Sequence, residues 1–320
     1  MKTLIVSALI GLSIAVSGQS ALAASWPDKP VKLIVPFPPG GPSDAAARTV
    51  AEGLSIRLKQ SVIVENHAGA GGTLAAQTVL HAQPDGQTLL WAVASMAVIP
   101  LLQKSPPFTT LGDFEPVGMV GRFGFGLFVH PSVPANTVAA LTEQARAAPG
   151  KLTYATGALS EYLVTTDYMK RTGTDMMRVP YKGGAQAMPD VVAGRVQVFF
   201  TPLSLGLQQA RAGQLRLLAV LQSTRSPLAP DVPTLDEAGV PGVVLPSWQA
   251  VMAPPRTPSS IIALLAGALQ QTLQDKDMRA RLEKMAVHIE PLAPEQLAKQ
   301  IEAEAGMWQR FVRDYDIPKE

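Results

Sequence analysis

Residues Val31–Asp44 read Val-Lys-Leu-Ile-Val-Pro-Phe-Pro-Pro-Gly-Gly-Pro-Ser-Asp, and the fold is decided where this run changes character. Val31–Val35 is rich in branched apolar residues, the pattern of a strand buried on both faces. Pro36 ends it, because proline brings no amide hydrogen to a sheet. Pro38 and Pro39 stiffen the turn, while Gly40 and Gly41 permit positive φ and let another molecule approach the backbone. Ser43 and Asp44 favour a helix start, and Ala47, Val50, Ala51, Leu54 and Leu58 follow at helical spacing. The first amides of that helix lack partners within it, so strand, turn and helix together form an anion site at the positive end of the helix dipole. Phe37, Pro39, Gly40, Gly41 and Ser43 are therefore candidate ligand contacts. Asp44 is a candidate too, although a first-turn carboxylate also has the ordinary role of complementing the dipole.

The same grammar recurs along the chain. Ser61–Val64 reads as a second strand, and Gly69, Ala70, Gly71 and Gly72 open a second helix; Thr88–Val93 reads as a third strand running into Ala94 and Ser95. This alternation predicts an α/β fold with a doubly wound parallel sheet, whose ligands lie beyond the carboxyl ends of the strands. From Phe114 to His130 a longer, glycine-dotted apolar run reads as a strand leaving one domain for another, with the crossing near Gly126. The middle of the chain then repeats the pattern. A helix over Val138–Ala148 precedes a strand at Leu152–Ala155 and the loop of Thr156, Gly157 and Ala158. Tyr181, Lys182 and Gly183 form another turn before a helix, and the strand Val196–Phe200 leads into Thr201. Val243–Ala253 reads as the return crossing, and helices from Pro258 and Pro294 finish the chain. Two lobes are expected, one made of 24–125 and 249–320 and the other of 126–248, each a doubly wound sheet, joined by two crossover strands that act as a hinge.

Composition narrows the function. Met1-Lys2-Thr3, the charge-free apolar run Leu4–Val16 and Ala21-Leu22-Ala23 have the form of a secretory signal peptide over 1–23. That run is shorter than the ~20 residues of a spanning helix. With no cysteine in the chain, neither a lipid-anchored cysteine nor a disulfide framework is available, and a free periplasmic protein is expected. A formal net charge of +2, with the basic residues scattered, argues against a nucleic-acid partner. The four histidines show no metal-ligand spacing, so neither metal nor cofactor is expected. Gly69–Gly72 misses a dinucleotide fingerprint at Leu74, and Gly150-Lys151 is followed by Leu152 rather than by the hydroxyl residue of a phosphate loop. No Gly-x-Ser-x-Gly elbow surrounds a serine.

Several ordered stretches resemble the Bug-type periplasmic receptors, the solute-binding proteins of tripartite tricarboxylate transporters. They are Val35–Gly41 with Asp44, Val64-Glu65-Asn66 with Gly69–Gly72, Pro84-Asp85-Gly86 with Thr88-Leu89-Leu90, and Val179–Gly183. Ala212–Arg216, Asp231–Thr234 with Glu237-Ala238-Gly239, and Ser247-Trp248 complete the set. The resemblance implies a type-two periplasmic-binding-protein fold whose lobes close on a small carboxylated solute, gripped largely by backbone amides and ordered waters. It also implies membrane transporter subunits as partners; a monomeric receptor is expected. The chain departs from the family pattern at His67-Ala68, in a short loop after Tyr154-Ala155, at Tyr162, and at Thr201, where an aspartate is frequent. Without that aspartate an unaminated carboxylate is the expected solute, a short diacid being the first guess, unless Asp44 or Glu161 supplies the missing charge. Two other readings compete. One is an exported α/β hydrolase or transferase using Ser43 or Ser160 beside a glycine-loop oxyanion site. The other, the effector half of a transcription regulator, conflicts with the signal peptide.

Overall fold

The computed structural model describes residues 26–243, 245–317 and 319, so the expected signal peptide lies outside the described residues. The opening stretch forms strand β1 (Val31–Val35) and helix α1 (Pro42–Leu58), with Gly41 as N-cap and Pro42 in the first helical position, where its missing amide costs nothing. Strand β2 (Val62–Asn66), a tight turn at Ala70–Gly72, helix α2 (Thr73–Leu80) and strand β3 (Thr88–Val93) follow. After the short helix α3 (Ile99–Leu102), β4 (Glu115–Phe123) continues through Gly124 into β5 (Phe125–Val129). Next come α4 (Val138–Ala147), β6 (Thr153–Thr156), α5 (Leu159–Thr172), β7 (Met177–Pro180) and α6 (Gly184–Val192). They are followed by β8 (Val198–Pro202), α7 (Leu203–Arg211) and β9 (Arg216–Val220). The chain ends with β10 (Trp248–Ala253), α8 (Ser259–Gln274), α9 (Lys276–Lys284), β11 (Val287–Leu292) and α10 (Pro294–Asp314).

These strands make two sheets, ordered β11-β4-β10-β3-β1-β2 and β7-β6-β8-β5-β9. We refer to the bodies built on them as lobe 1 and lobe 2. Neither sheet is wholly parallel, which corrects the sequence expectation. β1 is parallel to β2 and β3, and β6 to β7 and β8, but β10 runs antiparallel to both its neighbours, as does β5 to β8 and β9. The cause is the two-lobed path. A strand that arrives from the other lobe enters its sheet at the cleft edge, where the parallel strands end, so it must run against them.

The first crossing is a single residue long. Phe123 pairs with Val287 in one sheet and Phe125 with Pro202 in the other. Between them Gly124 donates its N–H to Ala286 O at 2.9 Å and accepts at its carbonyl from Leu203 N–H at 2.8 Å, one bond to each lobe. A Cβ at Gly124 would lie 2.1 Å from Gln222 Nε2 and 3.0 Å from Leu203 Cδ1, so a side chain at the crossing would displace the end of Gln222 and press on Leu203.

Helix α10 adds a third link between lobes. Its Trp308 packs in one apolar cluster with Val98 of lobe 1, Leu163 of lobe 2 and Ile317. Tyr315, just past its end, donates its hydroxyl to Asp167 of α5, which also holds Arg171 at 2.7 Å. Among the described residues no helix is long and apolar enough to cross a membrane.

Candidate functional site

A cleft of about 710 Å³, counted out to its mouth, lies where the carboxyl ends of β1, β3, β6 and β8 face each other across the crossings. Lobe 1 contributes Phe37 and Gly41 to Ser43 from the first turn, with Val93, Ala94 and Ser95 after β3. Lobe 2 contributes Ala158, Ser160 and Glu161 at the start of α5, Gly183 to Gln186 before and within α6, and Pro202 and Leu205 after β8. Phe123, Phe125, Trp248 and Gln249, from the crossings themselves, form the floor. No arginine, lysine or histidine lines it among the described residues.

Lobe 1 presents a hydroxyl whose direction is fixed from behind. The Trp91 indole N–H donates to Gln249 Oε1 at 2.6 Å, and the Gln249 amide NH₂ donates to Ser43 Oγ at 2.9 Å. Indole nitrogen can only donate, so the amide oxygen must face Trp91 and the amide nitrogen must face Ser43. Ser43 therefore accepts on its inner side and has one proton left to offer. Trp91, Gln249 and Ser43 are all buried, which keeps this relay in a single arrangement. Its donor stands on the first turn of α1, beside amides the helix leaves unpaired.

Lobe 2 presents a carboxylate. Glu161, only 2% exposed, accepts at Oε2 from the Gly157 and Ala158 N–H groups and at Oε1 from the Thr201 hydroxyl at 2.9 Å. Burial pushes its pKa up to about 7 despite these three donors. Gly157 is a glycine for a packing reason. A Cβ there would sit 2.1 Å from the Gly183 carbonyl carbon, so the loops after β6 and β7 touch backbone to backbone. Across the cleft, a Cβ on Gly183 would lie 3.0 Å from Pro38 Cδ, which marks how closely the two lobes approach.

Of the sequence-predicted residues, Phe37, Gly41, Ser43, Ala94, Ser95, Ala158 and Gly183 come together on the cleft wall. Pro39 and Gly40 are exposed outside this lining, with Gly40 at φ +83°. Asp44 faces away from the lining and accepts from Gly40 N–H at 3.0 Å, Arg48 at 3.0 Å and Asn66 at 2.8 Å. Burial raises its pKa, but the bonds from Arg48, Gly40 and Asn66 outweigh that and hold it below the usual carboxylate value. Gly69, Ala70, Gly71 and Gly72 form a separate turn, all at positive φ, with Gly71 facing Leu159 of lobe 2. Thr156 is buried and accepts from Arg178, and Gly157 lies behind the lining. The Tyr181 hydroxyl donates to Asp190 at 2.7 Å, Lys182 is exposed outside the cleft, and Thr201 is fully buried against Glu161. Sequence reading did not select Trp91, Gln249 or Trp248 for the site, and it named Glu161 only beside Asp44, as an alternative source of the charge missing at Thr201. The legible signal for Glu161 was an acid three residues after a turn, the spacing of a capping box.

Residues 46–317 match the model of the tripartite tricarboxylate transporter family receptor. The chain belongs to that family. Protein BugT of Bordetella pertussis is 37% identical to this receptor over 313 residues, covering 96% of each chain. Among solved structures, the periplasmic binding protein BugD superposes with a TM-score of 0.87 at 30% identity, covering 92% of this chain and 100% of its own. Rpa4515 of R. palustris, determined with adipate, gives 0.87 at 32% identity with the same coverage. The two-lobed periplasmic-binding-protein fold follows, and the chain is a solute-binding receptor rather than an enzyme, which sets aside the hydrolase reading.

Proposed function

We propose that this receptor captures a small carboxylate in its interlobe cleft, outside the cytoplasm, and as a monomer hands it to the membrane subunits of a tripartite tricarboxylate transporter. The observation that carries the reading is the Trp91–Gln249–Ser43 relay, which commits a buried hydroxyl to donating on the first turn of α1. A donor fixed in that way, beside free helix amides, recognises an acceptor with negative charge and needs no cationic side chain. Adipate in the Rpa4515 structure is a carboxylate of this size. The periplasm is the compartment in which a receptor with the signal-like run at 1–23 would work.

Titration calorimetry with carboxylates and their isosteric amides tests this directly, for example benzoate against benzamide and hexanoate against hexanamide. Each acid should bind and each amide should bind far more weakly. Equal affinity of acid and amide would refute the reading.

A further inference from the structure

The two walls of the cleft are built alike but are not equally free to take an anion. In lobe 1, Asp44 is turned out of the cleft and the Ser43 hydroxyl is left to donate. In lobe 2, the turn between β6 and α5 aims the Gly157 and Ala158 amides and the Thr201 hydroxyl at one point, and the chain's own Glu161 carboxylate sits there. Glu161 thus occupies one of the two sets of donors on this wall; the other, Ser160 with the first-turn amides of α6 at Gly184 and Ala185, lies on the lining beside its carboxylate. A second carboxylate drawn to that wall would meet a like charge beside whichever donors it reached once Glu161 is ionised, with no arginine, lysine or histidine among the described residues of the lining to offset it. Between the walls the cleft is lined by Phe37, Val93, Phe123, Phe125, Leu205 and Trp248, surfaces suited to an apolar body.

We propose that Glu161 is a specificity-determining residue that makes this receptor select monocarboxylates with an apolar body, carboxylate toward lobe 1, and reject diacids. The proposal rests on the carboxylate reading above and narrows it. It replaces the short diacid suggested by sequence, and it sets this chain apart from Rpa4515, whose structure holds the diacid adipate.

The test is calorimetry at about pH 8, above the Glu161 pKa of about 7, on matched pairs of acid and diacid. Suitable pairs are butanoate and succinate, hexanoate and adipate, and benzoate and terephthalate. In the native protein the monoacid of each binding pair should bind at least about tenfold tighter. Glu161→Ser, which vacates the amides, should shift that ratio toward the diacid by about tenfold or more. Glu161→Gln retains an acceptor for the turn and should shift the ratio in the same direction by removing the charge alone. Melting curves without ligand establish that each variant is folded, and the Gln variant decides the matter if the Ser variant is not. Diacids bound as tightly as monoacids by the native protein, or a ratio unmoved in the folded variants, would overturn the proposal while leaving the carboxylate reading standing. Failure of every acid in the panel to bind would overturn both.

Discussion

Asp44 and Glu161 hold the same position in two copies of one local design: the third residue of a helix that follows a parallel strand and a glycine-containing turn. Both accept from backbone amides of their own turn, Gly40 in one lobe and Gly157 with Ala158 in the other. Their fates differ because of what stands next to them. Asp44 has the Arg48 guanidinium one helical turn on and Asn66 from the neighbouring strand, so its charge is compensated. Glu161 has a neutral threonine, is buried at the cleft, and receives no cation. An acid at one helical position can thus brace a turn or set the chemistry of a site, and the neighbour from another strand decides which.

The sharpest way to break this comparison is to add one methyl group to each turn. Gly157→Ala drives a Cβ to 2.1 Å from backbone of the adjoining loop, whereas Gly40→Ala meets nothing within 4 Å and is penalised only through its φ of +83°. Denaturant unfolding should show a loss of about 3 kcal/mol for the first, at the upper end of overpacking costs, and about 1 kcal/mol for the second. Binding should be abolished only by the change at Gly157.

Titration should separate the two acids by sign. The folded-state pKa of Asp44 lies below its unfolded value near 3.8, so the carboxylate stabilises the fold above that pH and its contribution is lost as pH falls through the folded value. Asp44→Asn should therefore be destabilising at neutral pH, with the difference from native closing in acid. For Glu161 the folded pKa is raised from 4.5 to about 7, so the native fold binds a proton that the unfolded chain has released across that window. Native stability then falls relative to Glu161→Gln as pH rises from 4.5 through 7, by up to a few kcal/mol in proportion to the shift. Urea unfolding at a series of pH values checks both, and slopes of the same sign for the two variants would contradict the account.

A smaller effect belongs to the relay behind lobe 1. Ser43→Ala removes the committed donor and leaves the Gln249 NH₂ without its acceptor, so affinity for the best carboxylate should fall about tenfold and stability by about 1 kcal/mol. Ser95→Ala, which removes a hydroxyl outside that relay, should cost less, as compared by the same calorimetric titration.

What could be read from the sequence was whatever is encoded locally. Proline and glycine after an apolar run placed the end of β1 and the start of α1, and the third strand lies at Thr88–Val93 where its pattern and the preceding Pro-Asp-Gly turn put it. The direction of β10 could not be read, because its pattern is that of any buried strand and only the edge at which it enters its sheet makes it antiparallel. The relay was equally hidden. Trp91 and Gln249 are 158 residues apart, and a glutamine in an apolar strand carries no sign of which two groups it will join. Thr201 was recognised as lacking an acid, with Asp44 and Glu161 as the two that could replace it, but that Glu161 is the one that reaches it became visible only once β8 lay beside α5.

Helix α10 has a consequence for motion. Any opening of the cleft keeps Gly124 bonded to both lobes and the second crossing intact, and α10 adds an attachment made late in the sequence, with Trp248 donating to Glu304 at 2.8 Å on one side and Tyr315 reaching Asp167 on the other. A wide parting of the lobes therefore has to separate the α10 contacts as well. The α10 attachment is made by side chains, Trp308 packed with Leu163 and the Tyr315 hydroxyl on Asp167, and neither contact is part of a sheet. Helix α10 therefore carries a buried aromatic seam across both lobes, and a receptor that gapes must exchange that seam for water.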